Sequence, residues 1–214
     1  MINKLLAELG RKYDLNAKDV GEFSKLKAKG MRFTVQAYDA KGLGHVSVMR
    51  AKGLFGLVRM DTMMIVPQHK DLPLYSYDRI YAMGNDVLIA ELYDTMINKA
   101  DLSALDDING EFAHITERDP GEHWYDSIRL GQSVSKQGKK ENTKDLDELT
   151  FKHFCAYLNA SASEVEDTEK KKELSASYVD GLLEKGGPST DIFKKAFGED
   201  KTARLFCNVL FGTK

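Results

Sequence analysis

A chain of 214 residues, 42% of them hydrophobic, can bury one substantial core, and 31 lysines and arginines against 33 aspartates and glutamates leave a net charge of −2. That balance excludes the strong basic field that non-specific nucleic-acid binding requires. No apolar stretch has the length of a membrane span, and the opening Met-Ile-Asn-Lys-Leu-Leu lacks the core of a secretory signal, so a cytosolic, single-domain protein (1–214) with no nucleic-acid or membrane partner is expected.

Ile2 to Leu9 and Ala17 to Ala28 carry helical spacing, and glycines at Gly10 and Gly30 follow them as stop signals. From Met31 the period becomes two: Arg32 to Tyr38, Leu43 to Ala51 after Lys41-Gly42, and Leu54 to Val66 after Lys52-Gly53 read as an antiparallel meander. Asp71 to Asp78, Asp-Leu-Pro-Leu-Tyr-Ser-Tyr-Asp, reads as a loop that delivers Asp78 to a strand ending near Ala82. Gly84-Asn85 then turns the chain into Asp86 to Asp94. Leu102 to Ile115 is expected to be helical, whereas Asp119 to Thr143 is punctuated and polar and has no assignment. Helical patterns return at Leu146 to Ala160, Val165 to Leu183, Asp191 to Phe197 and Thr202 to Phe211. Helices before and after a contiguous sheet predict a three-layer α/β/α sandwich with a central antiparallel sheet.

Two cysteines, Cys155 and Cys207, lie far apart without metal-ligand spacing, and the five histidines show none either. Nucleophile elbows, dinucleotide fingerprints and phosphate loops are absent from the sequence. What remains is a set of carboxylates in apolar surroundings. Strand alternation puts Arg59, Asp61, Met63 and Ile65 on one face and Met60, Thr62, Met64 and Val66 on the other. Glu91 shares a face with Val87, Ile89 and Tyr93. Buried acids of this kind are paired, hydrogen-bonded or protonated. Arg59 and Asp61 either pair with each other or with Glu91 across the sheet, or wall a polar pocket, and Asp78 taken alone reads either as a turn-capping carboxylate or as a reacting group.

Two segments resemble the ferredoxin-dependent bilin reductases. One is Val66-Pro67-Gln68-His69-Lys70-Asp71-Leu72-Pro73-Leu74-Tyr75-Ser76-Tyr77-Asp78-Arg79-Ile80, similar to a proline-containing loop that leads to an aspartate at a strand start. The other is Phe193-Lys194-Lys195-Ala196-Phe197-Gly198 with Val209-Leu210-Phe211-Gly212, similar to that family's Ala-Phe-Gly and terminal Val-Leu-Phe. Trp124 after Asp119-Pro120 lies where the family often carries a Pro-Glu-Trp-Gly.

The resemblance implies a linear tetrapyrrole held between the sheet and the C-terminal helices, and a monomer with no permanently bound cofactor. It further implies electrons from a reduced ferredoxin or flavodoxin and protons from carboxylates, in an oxidoreductase acting on CH-CH groups of biliverdin or a related bilin. Asp78 aligns with the family's central catalytic aspartate. Arg59, Thr62, Met63, Tyr77, Met49 and Arg50 become substrate-binding candidates. Where several members carry a histidine before the loop, this chain offers Asp61 or Thr62, and a glutamate of the phycocyanobilin-forming branch is replaced by Met49 or Arg50. Gly186-Gly187-Pro188-Ser189 stands in place of a stretch holding a second catalytic aspartate. Asp61 as a substitute relay and Glu91 as a substitute acid follow as expectations. The alternatives are a tetrapyrrole carrier or sensor that has lost the reaction, and a reductase of another open-chain tetrapyrrole such as a chlorophyll catabolite. An acidic ferredoxin calls for a basic surface, with candidates in residues 1–32 and in Lys136, Lys139, Lys140 and Lys144.

Overall fold

The computed structural model describes residues 1–214, the side chains of Leu54 and Pro188 excepted. Helix α1 (Ile2–Lys12) buries Ile2, Leu5 and Leu9 at helical spacing. The chain then enters β1 (Leu15–Lys18), β2 (Lys25–Ala28), β3 (Met31–Ala40), β4 (Gly44–Gly53), β5 (Val58–Pro67), β6 (Leu74–Ala82) and β7 (Asn85–Tyr93). After α2 (Ser103–Glu111) come β8 (Val134–Lys139), α3 (Thr143–Asn159), α4 (Thr168–Lys185), α5 (Pro188–Phe197), α6 (Glu199–Arg204) and a π-helical turn over Leu205–Leu210.

One antiparallel eight-stranded sheet runs β1-β3-β4-β5-β6-β7-β8, with β2 sharing the outer edge of β3. Both faces are covered, which is the expected sandwich. On one face α1, α2 and α3 bury Leu5, Leu9, Leu105, Leu149 and Phe154 against Val46, Val48, Met63, Ile65, Tyr77 and Leu88. On the other, α4, α5 and the π-turn bury Val179, Phe193, Phe206 and Phe211 against Phe33, Val35, Met49 and Ala51.

Two expectations are corrected and one open stretch gains its assignment. Ala17 to Ala28 is not a helix, because Gly21 at φ 50° interrupts it and the free edge of β3 recruits both halves as strands. Lys25-Leu26-Lys27-Ala28 alternates exposed and buried, the period of a strand. The Asp71 to Asp78 segment is not a loop throughout, since β6 begins at Leu74 and Asp78 lies mid-strand, opposite Thr62 of β5 and Ile89 of β7. The unassigned Asp119 to Thr143 stretch supplies β8, whose pairing with β7 makes β7 an interior strand.

Asp71, at the other end of that segment, closes the fold. Its carboxylate accepts from the amides of Ile97 (3.0 Å) and Asn98 (2.7 Å) and from Lys171 Nζ of α4 (3.1 Å). Lys171 also donates to the carbonyls of Leu72 (2.7 Å) and Thr95 (2.8 Å), and both side chains are almost wholly buried. Burial by itself would raise the Asp71 pKa, but the two amides and the ammonium outweigh it and hold the carboxyl below its ordinary range. The C-terminus is fastened in a similar way: His45 Nε2 lies 2.9 Å from the carbonyl of Val209, and Ser47 Oγ donates to that of Leu210 (2.7 Å). Those are carbonyls that a helix end otherwise leaves unpaired.

Candidate functional site

Interior strands normally carry buried side chains on both faces once both are covered. On β5, β6 and β7 the face toward the C-terminal helices departs from this: Met60, Met64, Ile80, Val87 and Ile89 are all only partly buried. On β7 the alternation is clean, with Asp86, Leu88 and Ala90 buried on one side and Val87, Ile89 and Glu91 half-open on the other. An apolar, partly open surface on the middle of a sheet is a place for a ligand.

Asp78 lies on this surface. Its side chain keeps partial contact with solvent although protein surrounds it, as for a group on the floor of a groove. Directly across, Thr62 Oγ1 donates to Asp78 Oδ1. Burial raises the Asp78 pKa to about 6; the Thr62 hydrogen bond opposes the rise and the negative field of Glu91 adds to it. A carboxyl near 6 holds a proton part of the time at neutral pH and can give it up, which is what a general acid needs. Removing the threonine hydroxyl deletes a hydrogen bond to the ionised form. Thr62→Val is therefore expected to raise the Asp78 pKa by about one unit, read by NMR titration of carboxyl-labelled aspartate.

Glu91 stands diagonal to Asp78 on the same face, opposite Ser76. It accepts from Tyr93 Oη (2.6 Å) and lies 3.3 Å from Arg129 Nη1. Tyr93 stacks on Tyr178 of α4 (4.3 Å between centroids), with Tyr125 edge-on (5.4 Å) and Trp124 beyond it (5.3 Å). This aromatic wall closes the groove at the Glu91 end. Toward the β4–β5 and β6–β7 turns the face stays only partly buried, at Val58, Met60, Ile80, Ala82 and Val87.

The chain has the fold of a known tetrapyrrole-binding structure. It superposes on phytochromobilin synthase from tomato in complex with biliverdin with a TM-score of 0.78, covering 99% of this chain and 82% of that one at 14% identity. The fold is that of phytochromobilin synthase. No protein-family model and no curated protein matches the sequence.

Within this fold the sequence-derived site residues divide between the two faces. Asp78, Thr62, Met49 and Glu91 share the groove side. Asp61, Arg59, Arg50, Met63 and Tyr77 point to the opposite side, because each sits at odd spacing from Thr62, Asp78 or Met49 along its strand. Asp61 as a relay to a ligand over Asp78 is therefore corrected: the sheet stands between them. Pairing of Glu91 with Arg59 or Asp61 is excluded for the same reason, and Arg129, from outside the regular strands, is its partner instead.

On the opposite face Arg50, Lys52, Arg59, Asp61, Arg79 and Asp86 line a separate cleft of about 450 Å³. There Arg79 binds Asp86 twice (2.5 and 2.8 Å) and reaches Asp147 of α3 (3.4 Å), a structural ion-pair network. Tyr93, Tyr125, Tyr178 and Arg129 were not among the sequence candidates. Trp124 alone had a signal, through its position after Asp119-Pro120. Among the described residues no cluster of histidine, cysteine and acidic side chains could hold a metal, and no helix is long and apolar enough to cross a membrane.

Proposed function

We propose that this protein reduces a linear tetrapyrrole, biliverdin or a related bilin, with electrons from a reduced ferredoxin and a proton from Asp78. The observation that carries the reading is the half-open apolar face of β5, β6 and β7 with one protonatable carboxyl at its centre. The shared fold supports it, because the related structure contains biliverdin. A flat conjugated ligand lies well on a row of methionine, isoleucine and valine side chains. Reduction of one double bond adds two electrons and two protons. Two reduced ferredoxins, one electron each, supply the electrons; Asp78 gives the first proton where negative charge accumulates on the ligand, recovers one from solvent through its partly open side, and gives that as the second. Thr62 orients the carboxyl, and Glu91, tied to Tyr93 and Arg129, keeps its affinity for the proton high.

A second reading is a carrier or sensor that binds the ligand without reducing it. It is favoured by the neighbour of Asp78: Thr62, not a histidine, stands across the strand, and Asp61 faces away. Mixing the protein anaerobically with biliverdin, reduced ferredoxin and ferredoxin reductase separates the two readings. A reduced product with matching spectral decay supports the reductase. A bound spectrum without product supports the carrier, and no spectral change on mixing overturns every bilin reading.

A further inference from the structure

Four turns meet at one end of the sheet: Lys29-Gly30, Leu54 to Leu57, Met83-Gly84 and Lys140 to Asn142 follow the paired ends of β2 through β8. The row spans about 29 Å at the usual strand spacing. Among the described residues, all the exposed large hydrophobic side chains lie here: Phe55 (109%), Met83 (76%) and Leu57 (62%). So do all the non-glycine residues with positive φ, Lys29 (46°), Phe55 (54°) and Met83 (49°). In Lys29-Gly30 and Met83-Gly84 the first turn position would take Asn or Asp without strain, yet it holds a cation and an apolar side chain.

The strand ends add charge. Lys27, Arg32, Lys52 and Arg59 are direct cross-strand neighbours on β2, β3, β4 and β5, and all four are exposed. None of them pairs with a carboxylate among the described residues. Like charges opposed across strands disfavour the folded sheet. Lys139 and Lys140 extend the positive field at β8, and Glu141 is the one acid in the four turns. Strain, exposed apolar surface and like-charge repulsion each work against stability, and all are concentrated in one place.

We propose that this end of the sheet is the docking surface for an acidic electron-donor protein, with Phe55, Leu57 and Met83 as its apolar centre and the Lys27, Arg32, Lys52, Arg59 row with Lys139 and Lys140 as its positive rim. This rests on the reductive reading above. Of the two basic clusters read from the sequence, residues 1–32 and Lys136, Lys139, Lys140 and Lys144, this surface takes Lys27, Lys29, Arg32, Lys139 and Lys140, and β4 and β5 complete it, whereas Lys136 is buried and paired with Glu117. Its place suits electron delivery: the open groove face runs from Ala82 and Val58 through Ile80, Met60 and Val87 to Asp78, four residues or about 13 Å along β6. The Lys27, Arg32, Lys52, Arg59 row stands on the sheet face opposite Asp78, so a donor held by it and by the turns reaches the ligand side across the sheet end, where the distance along β6 is short enough for tunnelling. An apolar centre with a charged rim also gives the fast, salt-sensitive encounter that redox partners use.

Binding of an acidic [2Fe-2S] ferredoxin at low ionic strength, by calorimetry, tests the proposal on wild type, Arg32→Glu/Lys52→Glu and Phe55→Ser, each first shown folded by circular dichroism. Both variants are expected to weaken binding at least 10-fold, the charge reversal also flattening the salt dependence, while biliverdin spectra stay unchanged. Wild-type affinity in both folded variants overturns the proposal. So does absence of binding to wild type, whether or not the protein sediments with anionic phosphatidylglycerol vesicles through Phe55. Docking without a biliverdin spectrum keeps this surface and removes the bilin reading instead.

Discussion

An Asp78→Asn variant is expected to bind biliverdin, to lose at least about 100-fold in single-turnover reduction, and to unfold at a higher temperature than wild type. The kinetic loss follows from removing a general acid, whose contribution is typically about 10²–10⁴-fold. The asparagine oxygen still accepts from Thr62, so the surface that receives the ligand keeps its shape. The gain in stability follows from the direction of the pKa shift. Folding raises Asp78 from 3.8 to about 6, so the folded state holds a proton that the unfolded state has released between those values. Stability from this group is full below about pH 4, falls as pH rises toward 6, and is flat above. The rise from 3.8 to about 6 corresponds to about 3 kcal/mol, and the partial solvent contact of Asp78 trims this to about 1–2 kcal/mol. At neutral pH, Asp78→Asn should therefore raise the Tm by about 3–6 °C, measured by calorimetry. A variant that retained turnover would sink the proposed role of Asp78. One that lost both turnover and stability would mark it as a structural residue.

Lys171→Met is expected to have the largest effect on stability. The ammonium is buried beside Asp71 and also satisfies two carbonyls, so its removal leaves a buried carboxylate and two orphaned acceptors. Breaking a buried pair from one side costs about 3–5 kcal/mol, a large part of the roughly 5–15 kcal/mol that holds a domain together. Asp71→Asn/Lys171→Met removes both charges and should recover part of that loss in urea unfolding. The sign of the pH effect is opposite to that of Asp78. The folded pKa of Asp71 lies below 3.8, so its contribution is present above that value and disappears as pH falls through the folded pKa. Without Lys171 that pKa rises, and acid unfolding should begin at a higher pH than in wild type.

The meander was legible because β3 to β7 are local: glycine-punctuated runs of period two predict neighbours that pair in order, and β3-β4-β5-β6-β7 do so. The split of β5 into an Arg59, Asp61, Met63, Ile65 face and a Met60, Thr62, Met64, Val66 face was legible as well, because strand alternation depends on nothing beyond the strand. The end of β1 and all of β2 fall within a run, Ala17 to Ala28, whose spacing suggests a helix, because the preference of a short amphipathic run is weak and what decides it is the open edge of β3. The opening of β6 was read as loop because Pro73 and the polar flanks look like turn chemistry. Pairing with β5 and β7 outweighs that local signal from Leu74 onward.

The sequence by itself determined that carboxylates stand in apolar strands, that the sheet is antiparallel and that helices cover it, because periodicity and turn residues act over a few positions. Only the tertiary structure decided which carboxylates share a face, that Asp78 has Thr62 and Glu91 for neighbours while Asp61 looks the other way, and that Lys171 closes on Asp71 from 100 residues away. Burial, cross-strand register and the field of a neighbouring charge arise from segments distant in the chain, and those are what raise the pKa of one aspartate and lower that of another.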